Sequence, residues 1–364
     1  MKIGILGGGQ LARMLALAGV PLGLEFVTID PAQDACAAPV SEHWQGAYDD
    51  PVLLERLGQV CDYVTYEFEN IPVAIVEQLA RTVPVYPSAQ ALAMSQDRLI
   101  EKQFLNELGI ATAPFAAIDS LAQLEAEAGR LNFPAILKTR RFGYDGKGQF
   151  VIKKPDDLHA AWTAMAGHAL ILEGFVPFCR EVSILAARSP SGDKVYYPLS
   201  ENQHHKGILR MAKNTRDDLL QAKAERIIDK VLDALDYVGM IALEMFELEG
   251  ELVANEFAPR VHNSGHWTLE GSVTSQFENH LRAVVGWPLG ATDSVGFATM
   301  HNFIGRNPDL KTLLALPQVH VHYYGKSARK GRKVAHATVR ADSEATQSGR
   351  SAAVAKLARQ WDDS

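Results

Sequence analysis

Cysteine is scarce in this chain. Cys36, Cys61 and Cys179 are three, an odd number, widely spaced and without a CxxC pair. That rules out a disulfide framework and offers no zinc cluster, so a reducing cytoplasm is the expected compartment. A basic excess is lacking as well: 36 Lys and Arg stand against 43 Asp and Glu, a net charge of −7. A general nucleic-acid or membrane-surface binder needs a basic face to release counterions, and is therefore excluded as a class. Small anions remain within reach of local basic clusters. No segment reaches the ~18 uncharged apolar residues of a membrane span. The start, MKIGILGGGQLARMLALAG, is interrupted by Gln10 and Arg13 and carries three glycines, which fits a strand and turn better than a signal peptide. Internal repeats and low-complexity linkers are absent too.

What is present is a chain of 364 residues, 47% apolar, enough for a large core over two or three domains. KIGIL at 2–6 reads as a buried strand, Gly7-Gly8-Gly9 as a tight turn and 10–18 as a helix. FVTID at 26–30, DYVTYEF at 62–68 and VPVYP at 83–87 read as further strands, with helices around 51–59 and 72–81. This alternation indicates an α/β, doubly wound parallel sheet. The turn matches GxGxxA, and Asp30 falls where a ribose-binding acid would sit. Two readings stay open: a dinucleotide site, or glycines that permit close helix packing and an amide nest for some other anion.

From Ser95 the texture changes. A helix is expected over 96–108 with Gly109 as its C-cap, then a new α/β unit with PAILKTR at 134–140 as a strand. Lys138 lies in an otherwise apolar strand, where burial demands an anionic partner. Gly143, Gly146, Lys147 and Gly148 then describe a loop whose amides can close on phosphates; it is not a Walker A loop, since GKG replaces GK[ST]. ALILEGFV at 169–176 is a strand ending in Glu173, a carboxylate able to read the amino group of an adenine. REVSILAAR at 180–188 returns as an alternating strand, and adjacent His204 and His205 point to opposite faces. Residues 219–235 form an amphipathic helix.

MIALEMF and LVANEF place Glu244 and Glu256 on neighbouring strands. With a loop of 249–251, odd in length, both carboxylates share a face; a two-residue loop splits them. Two like charges placed together need a cation, and oxygen ligands without Cys or metal-spaced His favour Mg²⁺. The plain alternative is a solvated acidic hairpin, against which Arg260, His262, Asn263 and His266 follow directly. After Trp287 the chain is less periodic until 319–340, where Val319, Val321 and Tyr323 alternate with His320 and His322 ahead of a basic turn. Lys326, Arg329, Lys330, Arg332 and Lys333 there suit an anchor for one phosphate. The last twenty residues read as a surface helix or a frayed end.

A strand Lys, a Gly-rich flap, a Glu-ended strand and a paired-carboxylate hairpin, in that order, resemble the ATP-grasp ligases. GILGGGQLARM at 4–14, YEFENIP at 66–72, QDRLIEK at 96–102, GYDGKGQ at 143–149, NEFAPRVHNSGHWT at 255–268 and YGKSARKGRKVAH at 324–336 narrow this to the N5-carboxyaminoimidazole ribonucleotide synthetase family. The resemblance implies an ATP-grasp fold, α/β and α+β, in three parts: a parallel-sheet domain at 1–95, a nucleotide-binding domain at 96–290 with a flap-bearing subdomain at about 112–176, and a small β-rich domain at 291–364. It implies a cytoplasmic homodimer in purine biosynthesis that carboxylates 5-aminoimidazole ribonucleotide with ATP and bicarbonate, through carboxyphosphate, using two Mg²⁺ ions.

The implied nucleotide contacts are Arg98, Lys138, Gly143, Tyr144, Asp145, Gly146, Lys147, Gly148, Gln149, Glu173, Gly174, Phe175, Val176, Glu181, His204, Asn255 and Glu256, with Glu244 and Glu256 as metal ligands. The ribonucleotide is expected at Gly8, Gln10, Glu67, Glu69, Asn70, Tyr144, Asp145, Arg260 and His262, its phosphate at Lys326, Arg332 and Lys333. Catalytic roles fall to Lys138, Arg260, Asp145 and His262, the last two as candidate bases for the amine proton. Two departures stand out: Ala258 replaces the Asn that many relatives carry two residues after the second carboxylate, and Ala12 replaces a third Gly. Rival readings are a formate-dependent glycinamide ribonucleotide transformylase, a biotin carboxylase, an NAD-dependent oxidoreductase and a non-catalytic nucleotide-binding regulator.

Overall fold

The computed structural model describes residues 1–143 and 146–359. Its N-terminal part alternates strand and helix as expected: β1 (Lys2–Leu6), α1 (Gln10–Gly19), β2 (Glu25–Asp30), β3 (Glu42–Gln45), α2 (Pro51–Val60), β4 (Tyr63–Tyr66), α3 (Val73–Leu79) and α4 (Ala89–Ser95). The four strands pair in parallel in the order β3-β2-β1-β4. Two expectations change here. β3, EHWQ, went unread because it is short and polar. VPVYP is not a strand but a single bridge of Val85 to Val64, its prolines lacking the N–H groups a ladder needs.

The helix expected over 96–108 is α5 (Arg98–Glu107), set off from α4 by Asp97, which caps it with a carboxylate accepting from the Leu99 N–H at 2.9 Å. A small antiparallel sheet follows, in order β5-β8-β6-β7, from β5 (Phe115–Ile118), α6 (Leu121–Leu131), β6 (Ala135–Thr139), β7 (Gln149–Ile152), α7 (Leu158–Met165) and β8 (Leu170–Gly174). It buries its own core, Leu124, Leu137 and Leu172 among it.

The remaining strands join one large sheet. They are β9 (Arg180–Arg188), β10 (Lys194–Tyr196), β11 (Ser200–His205), β12 (Ile208–Asn214), β13 (Gly239–Leu248), β14 (Glu251–Ala258), β15 (Phe297–Ile304), β16 (Val319–Tyr323) and β17 (Lys333–Ala341). Their order is β14-β13-β9-β11-β12-β15-β17-β16, with β10 beside β9. β15 was not foreseen. It is buried on both faces, and Thr299, His301 and Asn302 interrupt its apolar residues without regular alternation, so no strand period can be read. Residues 297–341 thus extend the same sheet as 180–258.

Helices of this part are α8 (Gln221–Ala234), α9 (Thr268–Gly271), α10 (Gln276–Val284), α11 (Leu310–Leu314) and α12 (Glu344–Arg359). α8 packs Ile228 and Val231 on one face of the large sheet. On the other, α10 and Trp267 meet α1 through Phe277, Leu281 and Leu15, which brings the glycine turn towards the end of β14. A fully buried His280 joins the two sheets: its Nδ1 accepts from the Met240 N–H at 3.1 Å, and its Nε2 lies 2.9 Å from Thr65 Oγ1. α12, the expected surface helix, buries Gln347 and Val354 against this sheet.

The turn between β13 and β14 corrects the expected loop. It has two residues, Glu249 and Gly250, at φ +53° and +80°, the left-handed pair that a tight hairpin requires. Glu pays a steric penalty there that Asn avoids. Glu249→Asn is therefore expected to raise stability by about 0.5–1 kcal/mol, read as a higher urea midpoint at unchanged slope; an unmoved or lower midpoint would show that the turn carries no such strain.

Candidate active site

A two-residue turn alone would place Glu244 and Glu256 on opposite faces. A β-bulge prevents this. From Leu248↔Glu251 to Met245↔Ala254 the ladder runs in one register; Asn255 is then skipped, and Glu244 stands directly opposite Glu256. The extra residue shifts every later side chain to the other face. The geometric demand read from the sequence is met, but by the bulge and not by the loop.

The pair sits in a cleft of about 460 Å³ between the large sheet, the flap and the end of the N-terminal sheet. Burial, together with the neighbouring Glu256, pushes the Glu244 carboxyl up to about 7, against a lowering pull from His204. Arg98 Nη2 stands 3.5 Å from Glu256 and 3.3 Å from the Gly143 carbonyl, tying α5 to the base of the flap. Gly146 and Gly148 have φ of +75° and +69°, and a side chain on Gly146 would strike the Lys206 carbonyl at 2.6 Å. Glycine is thus required where the flap meets the β11–β12 turn. The expected contacts Tyr144 and Asp145 lie outside the described residues.

Lys138 has its anionic partner: Nζ is 2.9 Å from Glu173 Oε2, and Lys102 Nζ approaches the same oxygen at 3.5 Å. Burial alone would raise the Glu173 carboxyl, but the two ammonium groups outweigh it and bring it to about 2. Its other oxygen, Oε1, is buried and has no partner among the described residues. Gly174 and Phe175 are held by their N–H groups on Pro114 and Pro134 carbonyls, with the Phe175 ring half exposed. Glu181 and His204 hydrogen-bond one another. Burial disfavours charge on His204, yet Glu181 and Glu244 lift it above the ordinary histidine range.

Downstream of β14, Arg260 reaches across to Glu69 beyond β4 in an ion pair that joins the two sheets. His262 follows, and its tautomer can be read from its neighbours. The Ser264 main-chain N–H donates to Nδ1 at 3.3 Å, and a main-chain N–H can only donate. The Ser264 hydroxyl lies 2.8 Å from the same nitrogen and accepts from Ser183 Oγ at 2.7 Å. The proton therefore resides on Nε2, 3.5 Å from Glu244 Oε1. Burial, then the charge of Arg260, holds His262 well below the usual range. In this arrangement Nε2 presents a proton to the cleft, where the reading as a base asks for an acceptor.

The glycine turn changes the expectations for Gly8 and Asp30. The Gly8 N–H donates to Asp30 at 2.9 Å and its carbonyl accepts from Ala37 at 2.9 Å. The Gly9 N–H and the Ala12 N–H both go to Glu67. Gly8 is thus spent on internal bonds, Asp30 also takes the Tyr48 hydroxyl at 3.0 Å, and Glu67 holds the turn while still lining the cleft. The Gly8, Gly9 and Ala12 amides are therefore taken inside the fold, and Asp30 is no free ribose-binding acid. Gln10 lines the cleft and accepts from Lys326, and Glu69, Asn70 and Lys333 line it as well. Arg332 turns to Ser327 in its own loop, at 2.9 Å from the hydroxyl.

Sequence reasoning missed Glu101, Lys102, Ser183 and Ser264, all buried around the cleft. One signal was available for the bulge. Leu252, Ala254 and Phe257 all enter one core, and their spacing changes from two to three across Asn255.

Family models match in three segments: a ribonucleotide synthetase preATP-grasp domain over residues 1–96, an ATP-grasp domain over 103–277 and a phosphoribosylaminoimidazole carboxylase C-terminal domain over 298–348. The N5-carboxyaminoimidazole ribonucleotide synthase of Pseudomonas aeruginosa is 51% identical over 357 residues, 98% of this chain and 99% of that one. The crystal structure of the synthetase from Thermus thermophilus superposes with a TM-score of 0.93 at 49% identity, covering 98% of both chains. The synthase of Aspergillus clavatus, solved with ADP and 5-aminoimidazole ribonucleotide, superposes at 0.92 with 29% identity over 99% of this chain and 98% of that one.

Proposed function

This chain belongs to the N5-carboxyaminoimidazole ribonucleotide synthase family of ATP-grasp ligases, and from that premise we infer how its cleft performs the reaction. The enzyme carboxylates 5-aminoimidazole ribonucleotide with ATP and bicarbonate, releasing ADP and phosphate. Bicarbonate oxygen attacks the γ-phosphorus, ADP leaves, and the carboxyphosphate formed passes its carboxyl carbon to the exocyclic amine, which loses a proton as phosphate departs. The observation that carries the reading is the single cleft into which Arg98, Glu244, Glu256, Arg260, His262 and Lys333 converge.

We assign the nucleotide to the side bounded by Arg98, Lys138 and the 143–149 flap. The unpartnered Glu173 Oε1 suits the adenine amino group, and the Glu181–His204 pair suits the ribose hydroxyls. Arg260 and the Nε2 proton of His262 face the reacting end, where they would steady charge developing on the carboxyl and phosphoryl oxygens. The ribonucleotide is assigned to Gln10, Glu69 and Asn70, its phosphate to Lys326 and Lys333; Asp145 remains the candidate base. Two facing carboxylates, with no third His, Cys, Asp or Glu ligand gathered among the described residues, fit a hard cation that completes its shell with phosphate oxygens. Glu244 and Glu256 would hold Mg²⁺, two ions in our reading, which supply charge neutralisation to the triphosphate.

The chain is proposed to work as a cytoplasmic homodimer with units at 1–95, 96–290 and 291–364. Among the described residues no helix is long and apolar enough to cross a membrane. The test is ADP release by the purified protein with bicarbonate, with and without 5-aminoimidazole ribonucleotide. Strong stimulation by the ribonucleotide is expected. Equal ADP release without it, or stimulation by formate and glycinamide ribonucleotide in its place, would overturn the assignment.

A further inference from the structure

β14 is the edge strand of the large sheet, so alternate backbone groups point away from β13 with no strand to receive them. Three of these have specific partners. The Ala254 N–H donates to the Ala111 carbonyl at 2.8 Å. The Asn255 carbonyl accepts from Lys102 Nζ at 3.2 Å, and the Phe257 N–H donates to Glu101 Oε1 at 2.6 Å. The last two flank Glu256 on either side. Both come from adjacent residues of α5 that are only 2% exposed, a burial that Glu and Lys rarely adopt unless paired.

Their place coincides with the register shift. The bulged residue, Asn255, has left the ladder, and its backbone needs another partner or returns to water. Were the bulge to close up, the lower register would continue and set Glu256 across from Leu243. Its carboxylate would then turn into the apolar core beneath the sheet, where Leu243 and Phe257 lie. The clamp and the apolar pattern therefore favour the same register.

We propose that Glu101 and Lys102 are positioning residues for the carboxylate pair: their side chains hold the Asn255 bulge from outside the sheet and so keep Glu256 opposite Glu244. The proposal rests on the reading of Glu244 and Glu256 as metal ligands. A merely structural role, anchoring α5 to the sheet edge, would lower stability and leave metal affinity unchanged.

The test uses the full-length protein carrying Glu101→Leu, Glu101→Gln or Lys102→Met, with Glu256→Gln alongside. Mn²⁺ binding is measured by electron paramagnetic resonance at ADP concentrations that saturate each variant, with ADP affinity determined separately because Lys102 also approaches Glu173, and hydrogen exchange at the Phe257 amide reports the bulge itself. Glu101→Leu and Lys102→Met are expected to weaken Mn²⁺ about 10-fold and to speed exchange at Phe257, whereas Glu101→Gln, which still offers an acceptor, stays within about twofold of the parent protein. Parent-like Mn²⁺ affinity in both disrupting variants overturns the proposal, as does Glu101→Gln failing as fully as Glu101→Leu. Should Glu101→Leu not fold, Lys102→Met set against Glu101→Gln makes the same decision. If Glu256→Gln itself binds Mn²⁺ normally, the metal reading fails; if it binds weakly while the α5 variants do not, only the positioning role fails.

Discussion

Glu256→Gln should lower ribonucleotide-stimulated ADP formation by about 10²–10³-fold, while the protein stays folded. Glu256 is nearly half exposed, at 45%, and its ion pair with Arg98 spans 3.5 Å. Losing an exposed pair of that kind costs at most ~1 kcal/mol, and Gln keeps the shape. What disappears is one of two charges that face each other across β13 and β14. A second signature follows from Glu244. In the fold, burial and then the Glu256 charge push its carboxyl up to about 7, from an ordinary value of 4.5. Between those values the folded state binds more protons than the unfolded chain, so this group makes the metal-free protein less stable as pH rises through that window. Removing the Glu256 charge relieves part of the shift. The fall in stability between about pH 5 and about pH 7 should therefore be shallower in Glu256→Gln, as read from urea unfolding without metal or nucleotide. Undiminished turnover would remove this carboxylate from the reaction, and an unchanged pH slope would show that the two carboxylates do not sense one another.

Much of the site was legible because its chemistry is written in local patterns. Lys138 in an apolar strand called for a buried anion, and Glu173 supplies it at 2.9 Å. The paired carboxylates could be placed on adjacent strands from alternation alone. What alternation could not show was how they come to share a face. Strand period and loop parity gave one answer, whereas the chain combines a two-residue turn with a bulge, two departures that cancel. A bulge is a tertiary decision: its unpaired backbone takes its partners, Glu101 and Lys102, from a helix some 150 residues away. The glycine turn failed for a related reason. GGGQLA is compatible with an anion nest until Asp30 and Glu67, distant in sequence, are seen to occupy its Gly8, Gly9 and Ala12 amides. β15 was invisible because a strand buried on both faces has no polar period to contrast with its apolar one.

The same distance limits apply to Arg260 and Glu69, whose pairing no sequence pattern signals, and here the second large effect is expected. Arg260 leaves the end of β14, Glu69 follows β4, and their ion pair is a polar tie between the two sheets at the reacting end of the cleft. Arg260 Nε is buried without a partner among the described residues, and beneath the pair Tyr66 is fully buried with its hydroxyl likewise unpartnered. Arg260→Met should therefore do two separable things. It should lower kcat by about 10²–10³-fold through loss of a positive donor at the forming carboxyphosphate. It should also lower stability by about 2–3 kcal/mol, less than the cost of stranding a fully buried charge, because the Glu69 side chain keeps 25% of its exposure. The double variant Glu69→Gln with Arg260→Met removes the stranded charge, so its urea midpoint should recover most of the loss, a non-additivity expected of residues in contact. Its rate should not recover. If turnover returned together with stability, Arg260 would have served to neutralise Glu69, and the charge acting on the carboxyl transfer would have to come from Lys333 or the flap.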